Sequence, residues 1–283
     1  MVRCLLLILL SACYTATPET LAEPSIQQEA PLIIALETFA SCIGEIAPPT
    51  GFERASVAEN SFTSWLRNCP LKPQGSPVLL HTGEQKYTQS LHYAVLDIDV
   101  GSKDLQQCAD AVMRLRAEYL YQTHQAAKIA FNFTSGDRIP FAKWAEGKRP
   151  KVSGNTVSWV ACASCDNTQG SFRKYLDVIF NYAGTASLEK ELEATTLERV
   201  QAGDVFIQGG FPGHAMLVAD VTMNEAGEKA FILAQSYMPA QSIHIVKNPK
   251  ASDSPWFFAS DVTDKLVTSE WTFTSDDLAR FVE

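Results

Sequence analysis

The fold is decided by the stretch Gly203-Asp204-Val205-Phe206-Ile207-Gln208-Gly209-Gly210-Phe211-Pro212-Gly213-His214-Ala215-Met216-Leu217-Val218-Ala219-Asp220. Two apolar runs flank a loop of glycine and proline, and this pattern predicts two strands with His214 at the mouth of the second. The polar turn Asn224-Glu225-Ala226-Gly227 then leads the chain back. Hairpin pairing about that turn sets His214 roughly opposite Gln235 or Ser236. An imidazole with an amide partner at the end of a sheet is half of a catalytic arrangement.

The rest of the chain predicts helices before residue 200 and antiparallel strands after it. A long helix is expected from about Lys103 to Gln125, which places Cys108 in its second turn. One face of that helix carries the apolar residues Leu105, Cys108, Ala109, Val112, Leu115 and Tyr119. Further helices are expected over 32–46, 61–68, 141–144, 172–182 and from 275, and further strands over 78–81, 92–99, 129–133 and 243–246. This order favours one α+β domain over 31–283, with helices packed on an antiparallel sheet.

The composition indicates a globular protein with an acidic surface. The chain has 283 residues, of which 46% are hydrophobic, enough for one sizeable core or two small ones. Its 23 basic residues against 32 acidic residues disfavour nucleic acid and anionic lipid headgroups as partners. The sequence has no phosphate-binding glycine loop, no cluster of metal ligands and no nucleic-acid motif. We therefore expect neither a cofactor nor a metal.

The N-terminus is predicted to be a processing segment. Arg3 precedes an apolar run, Leu5 to Leu10, that is too short to span a bilayer. The sequence Leu10-Ser11-Ala12-Cys13 matches the bacterial lipobox, so residues 1–12 are expected to be a signal peptide and Cys13 the lipidated first residue. Residues 13–30 are then a flexible tether. We expect a membrane-anchored protein of the cell envelope that faces the periplasm.

The oxidising compartment leads us to expect disulfide pairing among the remaining cysteines. Cys4 leaves with the signal peptide and Cys13 carries lipid, which leaves Cys42, Cys69, Cys108, Cys162 and Cys165. This is an odd number, so at least one thiol stays free. Cys42 and Cys69 both lie near the mature N-terminus, Cys162 and Cys165 are close enough to pair, and Cys108 is then the thiol left over.

Short motifs in the chain resemble those of the papain-like amidohydrolases of the NlpC and CHAP type, which are bacterial cell-wall hydrolases. In that family a cysteine opens a helix, in a run comparable with Cys108-Ala109-Asp110-Ala111-Val112. A Gly-Asp strand then precedes a strand begun by Gly-His, comparable with Gly203-Asp204 and Gly213-His214. A polar residue on the next strand orients the histidine, and Gln235 stands in that place. The resemblance implies a papain-like fold and a cysteine hydrolase.

Over most of its mature length the chain also resembles an uncharacterised family of bacterial lipoproteins that is classed as a domain of unknown function. This resemblance is carried by the run Gln107-Cys108-Ala109-Asp110-Ala111-Val112-Met113-Arg114-Leu115-Arg116-Ala117-Glu118-Tyr119 and by Pro212-Gly213-His214-Ala215. It implies no activity.

The candidate catalytic residues are a nucleophile, a base and an orienting amide. A nucleophilic Cys108 needs a thiolate, which His214 generates as general base while Gln235 fixes the tautomer and tilt of the imidazole. The spacing of Cys108 on the apolar face of the helix supports a buried structural thiol equally well. An oxyanion would be stabilised by Gln107 or by the backbone N–H of Cys108, although Gln107 is also typical of a surface residue.

Three further residues are candidates for binding. Gly213 belongs to a loop that lets a ligand approach the backbone closely, next to a histidine that could instead be structural. Tyr237 and Gln241 lie in a polar and aromatic run that could line a pocket, or form a plain loop anchored by Tyr237.

Other polar groups have structural explanations beside functional ones. Arg114 and Arg116 with Glu118 could bind an acidic group, but a buried ion pair or a solvated face is more usual. Cys162-Ala163-Ser164-Cys165 has the spacing of a redox dithiol, but a structural disulfide is favoured. The tryptophans, among them Trp271, could stack on sugars, although core packing is their default role.

The sequence thus supports two hypotheses of different classes. The first is a lipid-anchored, papain-like cysteine hydrolase that cleaves or transfers an amide in peptidoglycan peptide, through Cys108, His214 and Gln235. The second is a non-catalytic envelope lipoprotein that uses the papain-like scaffold as a binding module. A third possibility, thiol-disulfide exchange at Cys162 and Cys165, requires an accessible and easily reduced bridge.

Overall fold

The computed structural model describes residues 39–161, 164–251 and 253–282. The predicted signal peptide, the lipidated Cys13, the tether, the first part of the predicted helix over 32–46 and Cys162 lie outside these residues. Within them, no helix is long and apolar enough to cross a membrane.

Two of the α-helices begin after residues whose side chains accept hydrogen bonds from free backbone N–H groups. Ser61 caps the first helix by accepting a hydrogen bond from Ser64 N (3.1 Å), and Thr168 caps the fourth through Ser171 N (3.3 Å). The α-helices of the described residues are α1 (Phe62–Arg67), α2 (Cys108–Gln122), α3 (Phe141–Ala145), α4 (Gln169–Tyr182) and α5 (Thr185–Leu188).

The strands form one large antiparallel sheet and three separate hairpins. They are β1 (Phe52–Glu53), β2 (His92–Val95), β3 (Ala130–Asn132), β4 (Arg138–Pro140), β5 (Lys148–Ser153), β6 (Thr156–Ala161), β7 (Leu192–Ala194), β8 (Val205–Gln208), β9 (His214–Asn224), β10 (Lys229–Gln235), β11 (His244–Val246), β12 (Phe257–Phe258), β13 (Lys265–Val267), β14 (Thr272–Thr274) and β15 (Leu278–Phe281). The large sheet has the order β2-β11-β10-β9-β8-β15-β7, while β1 adds to β9 and β12 adds to β10. The hairpins are β3–β4, β5–β6 and β13–β14.

Both faces of the large sheet are covered, which explains why its central strands are continuous apolar runs rather than alternating ones. Val205 and Ile207 face a cluster shared with α2 and the other helices. Phe206, one residue between them, faces a second cluster that includes Phe231 and Phe273. This alternation follows the period of two along a strand. The prediction of helices with an antiparallel sheet, an α+β architecture, is confirmed at this level.

The central helix differs from its prediction in start and burial. It begins at Cys108 rather than near Lys103, because the preceding polar groups bind the segment after β10 instead. Ala240 N donates to Asp104 Oδ1 (2.6 Å), and Ser236 Oγ donates to the carbonyl oxygen of Gln106 (2.8 Å). A helix through residue 106 would need that carbonyl for its own ladder. The helix is also buried almost all round rather than on one face.

Other element predictions were wrong where local patterns were short. Residues 78–81 are not a strand and make isolated bridges at Leu79 and Leu80. The helix expected from Ser275 is a single 3-10 turn, Ser275–Asp277, followed by strand β15. The hairpin β5–β6 and strand β7 were missed.

Candidate functional site

The candidate nucleophile lies at the N-terminus of the central helix. Cys108 is the first residue of α2, after the N-cap residue Gln107. Its half-buried thiol is within hydrogen-bonding reach of the backbone N–H groups of Ala109 and Ala215. Because Ala215 directly follows His214 on β9, the thiol and this histidine lie at the same end of the sheet.

His214 opens β9, as the sequence predicted, and pairs with Gln208 on β8. Its side chain is 1% exposed. Three aromatic rings cover the imidazole, with centroids 5.0 Å (Tyr237), 5.2 Å (Trp271) and 6.0 Å (Phe273) from its own centroid. The histidine is therefore held in one place and shielded from water.

Gln235 meets His214 as expected from hairpin pairing. Strands β9 and β10 pair around the turn, with Ala234 opposite Leu217 and a register shift between Ile232 and Leu233. The Nε2 atom of His214 lies 2.8 Å from Oε1 of Gln235. An imidazole that donates from Nε2 has its lone pair on Nδ1, which makes Nδ1 the basic nitrogen.

Burial keeps both reacting groups neutral at rest. It lowers the pKa of His214 to about 4, although Gln235 and Glu270 act to raise it. Burial likewise raises the pKa of the Cys108 thiol to about 11, with a further increase from the Asp110 carboxyl. The backbone N–H groups beside the sulfur favour the thiolate, but burial outweighs them. The Cys108 thiol is therefore protonated at neutral pH.

Asp110 lies in the first turn of α2. The sequence motifs did not single it out as a titratable group of the site. Its Oδ2 atom accepts a hydrogen bond from the backbone N of Gln107 (3.0 Å), which ties down the helix N-terminus. Burial raises the pKa of this carboxyl well above its usual range.

The backbone N–H of Cys108 is a candidate oxyanion donor, because the first N–H groups of a helix have no intrahelical acceptor. Gln107 is less suited to that role. Its Nε2 donates to Asp104 Oδ1 (3.1 Å), so this predicted binding residue has one amide hydrogen already engaged.

The other predicted binding residues lie around the same site. Tyr237 contacts the His214 ring, and Gln241 is 1% exposed with an amide nitrogen that finds no partner among the described residues. Gly213 is required sterically. A Cβ there would lie 2.6 Å from the carbonyl oxygen of Gly210 and 2.7 Å from that of Gln208.

Several residues of the site were not found from sequence. Glu270 Oε2 accepts a hydrogen bond from Gln235 Nε2 (2.7 Å), and Lys86 pairs with the same carboxylate. His244 lies 3.3 Å from Gln235 Nε2 through its own Nε2. Trp271 Nε1 donates to Gln208 Oε1 (2.9 Å), which fixes the ring that covers His214. No local motif surrounds these residues, and only the folded chain brings them together.

The remaining sequence candidates lie apart from this site. Arg114 Nε and Glu118 Oε1 form a buried ion pair at 2.8 Å, the structural alternative of the sequence analysis. Cys165 is an exposed thiol, and its pairing with Cys162 stays a prediction. Among residues 39–161, 164–251 and 253–282, no group of three or more His, Cys, Asp or Glu side chains is arranged to hold a metal.

A large cavity among the described residues lies away from the cysteine and histidine. It has a volume of about 720 Å³ and runs along the edge strand β2, where Leu71, Pro77, His92 and Tyr93 contribute to its wall. Its size is typical of ligand pockets. The cavity and the candidate catalytic residues thus lie in different places.

The fold and the site define an α+β protein in which a histidine and a glutamine are hydrogen-bonded at one end of a large antiparallel sheet, where a helix also begins with a cysteine. The chain belongs to the family described as the domain of unknown function 4846, whose family model matches residues 43–280. No curated protein and no solved structure matches the chain.

Proposed function

We propose that this protein is a lipid-anchored cysteine amidohydrolase with a papain-like arrangement, and that it cleaves or transfers an amide bond in cell-wall peptide. The observation that carries the proposal is the contact of His214 Nε2 with Gln235 Oε1 at 2.8 Å, beside a cysteine at a helix N-terminus. This contact directs the basic nitrogen away from Gln235. The substrate class is taken from the resemblance of short sequence motifs to those of NlpC and CHAP hydrolases.

In the proposed reaction, His214 Nδ1 accepts the thiol proton as Sγ of Cys108 attacks the carbonyl carbon of the amide. A C–S bond forms, the C=O electron pair moves to oxygen, and the Cys108 N–H stabilises the oxyanion. The C–N bond then breaks, and the amine leaves with the proton from His214. Water that gives a proton to His214 hydrolyses the thioester and restores the thiol, whereas an acceptor amine in its place completes a transfer.

Substitution of Cys108 tests this proposal. Cys108→Ala should lower the release of amine from peptidoglycan fragments by roughly a thousandfold or more while the fold is kept, because the nucleophile is lost. Product masses measured by chromatography and mass spectrometry report turnover, and an acyl adduct on Cys108 reports the thioester. Ser158→Ala, at an exposed position of β6, is the control and should keep full turnover. Retained turnover in Cys108→Ala would contradict the proposal.

The lipid anchor is tested at Cys13. Cys13→Ser removes the atom that carries the lipid, so the protein should move from the membrane fraction to the soluble periplasmic fraction. Fractionation followed by intact-mass measurement of the N-terminus reports both properties. A variant that stays in the membrane fraction would show that anchoring, if any, has another origin.

A second candidate function is supported by two observations. Both reacting groups are neutral at rest, and the cavity of about 720 Å³ lies along β2 rather than at Cys108. These features favour a non-catalytic envelope binding module. A fragment of cell-wall peptide that raises the melting temperature without being cleaved, and without modifying Cys108, would favour this function over hydrolysis.

A further inference from the structure

We propose that Glu270, held in place by Lys86, is a positioning residue that fixes the orientation of the Gln235 amide and thereby the tautomer of His214. Its catalytic meaning rests on the proposed hydrolase function, but its structural part stands on hydrogen bonds alone. No motif in the sequence distinguishes either charged residue from other surface charges.

The amide of Gln235 has an acceptor end and a donor end, and its orientation decides the chemistry of His214. With Oε1 toward the imidazole, His214 Nε2 must donate, and Nδ1 is left free to accept a proton. In the reversed orientation the amide NH2 would face Nε2, which would then have to accept. The neutral ring would carry its hydrogen on Nδ1 and could not take the proton of a thiol there.

Glu270 selects the first orientation. Its carboxylate only accepts hydrogen bonds, and Gln235 Nε2 donates to its Oε2 at 2.7 Å. Reversal would bring the amide oxygen against the carboxylate and exchange a charge-assisted hydrogen bond for a repulsion between two acceptors. The negative charge of Glu270 therefore acts through the amide on a ring that it does not touch.

His244 agrees with this assignment independently. Its Nδ1 lies 2.9 Å from the carbonyl oxygen of Ser242, which only accepts, so Nδ1 carries the hydrogen. The Nε2 atom of the neutral ring is then an acceptor, and Gln235 Nε2 lies 3.3 Å from it. Burial lowers the pKa of His244 to about 3, which keeps the ring neutral. Both hydrogens of the Gln235 amide thus have acceptors in one orientation only.

Lys86 keeps Glu270 in place. Its Nζ atom lies 2.5 Å from Oε1 and 2.6 Å from Oε2 of the carboxylate, and the two side chains are 12% and 15% exposed. Glu270 comes from the turn between β13 and β14, where Thr268 N donates to Trp271 O (2.9 Å). The loop that carries Lys86 and the β13–β14 hairpin, which are far apart in sequence, thus come together at the Glu270 carboxylate.

The test uses two substitutions that differ only in their ability to accept a hydrogen bond. Glu270→Leu keeps the volume but loses the acceptor, whereas Glu270→Gln keeps an acceptor without the charge. The His214 tautomer is read from ring 15N shifts in protein labelled at histidine, with Glu146→Gln, at a surface pair with Lys148, as control. In Glu270→Leu the ratio of the Nδ1–H to the Nε2–H form should rise about tenfold, and Glu270→Gln, whose neutral amide can donate as well as accept, should give a smaller rise.

Kinetics give a second readout. In Glu270→Leu, kcat should fall about tenfold with KM changed by less than about twofold, since the acceptor orients a base and does not bind substrate. An unchanged tautomer ratio in Glu270→Leu would overturn the proposal. If that variant does not fold, Lys86→Met takes its place, with an expected rise of about threefold in the same ratio, and an unchanged ratio there overturns the proposal equally. A parent protein without turnover refutes the hydrolase function, while the NMR ratio still decides the role of Glu270.

Discussion

At the scale of single residues, the neutral resting state of Cys108 has a direct chemical consequence. A thiol whose pKa is about 11 is ionised in only roughly one molecule in ten thousand at pH 7. Its alkylation by iodoacetamide should therefore be slow at neutral pH and accelerate about tenfold per pH unit up to about pH 10. Peptide mapping by mass spectrometry measures this rate, with the same protein unfolded in guanidinium as reference.

The opposite outcome is equally informative. Fast alkylation of Cys108 near neutral pH that is lost in His214→Ala would show a preformed thiolate and imidazolium pair. The resting groups would then not be neutral, and the effect of burial would have been overcome by their mutual attraction.

Buried histidines also make stability depend on pH. The pKa of His214 falls from 6.5 to about 4 on folding and that of His244 to about 3, so the unfolded chain binds more protons between those values and 6.5. The free energy of unfolding should therefore decrease as pH falls from about 6.5, by up to ~1.4 kcal/mol per pH unit for each histidine. Guanidinium midpoints between pH 7.5 and 4 measure this change.

Variants assign the effect to particular rings. The slope of the free energy of unfolding against pH measures the number of protons taken up on unfolding. In His244→Gln this number should be lower by about one, because that buried ring is no longer there to titrate. His124→Asn is the control: His124 is exposed with φ 60°, a conformation that Asn tolerates, so its slope should match the parent. An unchanged slope in His244→Gln would contradict the assignment.

At the scale of elements, the loop between β8 and β9 determines where His214 lies. Gly213→Ala should lower the free energy of unfolding by about 2 kcal/mol or more, because the new Cβ meets two backbone carbonyls that cannot move aside. Thermal or chemical unfolding measures the loss. Gly170→Ala is the matched control, since nothing lies within 4 Å of its Cβ and the residue is helical in α4. Alanine there should stabilise the protein slightly, by about 0.5 kcal/mol, and equal effects at both glycines would refute the steric argument.

The hairpin β13–β14 shows how an element can supply a site without a motif. It pairs only with itself, yet its turn presents Glu270 to Gln235 and Trp271 to His214. Its two strands are three residues each, too short to be recognised from alternation. The contribution of this hairpin therefore becomes visible only in three dimensions.

At the scale of the whole molecule, the Gly203-Asp204 motif anchors the last strand of the sheet. Arg280 on β15 donates from Nε to Oδ1 (2.6 Å) and from Nη2 to Oδ2 (2.8 Å) of Asp204, which is fully buried. Asp204→Asn should cost about 3 kcal/mol of stability, because it breaks a bidentate pair and leaves the guanidinium without its counter-charge. Denaturant unfolding measures this loss. Glu146→Gln, at an exposed pair, should cost less than about 0.5 kcal/mol, and a similarly small loss for Asp204→Asn would contradict the anchoring role.

Much of the architecture could be predicted because long apolar runs and strong caps dominate it. The strands of the β9–β10 hairpin, the helix after Ser61 and the amphipathic α4 were found near their observed positions. Hairpin geometry predicted that His214 and Gln235 would lie near each other, because pairing about a turn is a local property. The observed register, with Ala234 opposite Leu217, sets the two residues diagonally rather than directly opposite.

The start of α2 and the outer parts of the site could not be predicted, because they depend on contacts between distant segments. Ser236 donates a hydrogen bond to the carbonyl oxygen of Gln106, and Ala240 N donates one to the Asp104 side chain. These polar groups are then not available to extend the helix. Glu270 lies 35 residues after Gln235. Lys86 precedes the central helix α2 in sequence, whereas Gln235 follows it. Periodicity carries no information about such pairings.

The place of β15 affects how the protein is made. This strand is last in chain order but lies between β8 and β7. During synthesis the edge of β8 that pairs with β15 stays open until Leu278–Phe281 has been made, so native closure of the sheet waits for this late segment. An open edge invites association with other chains, which gives chaperones a substrate.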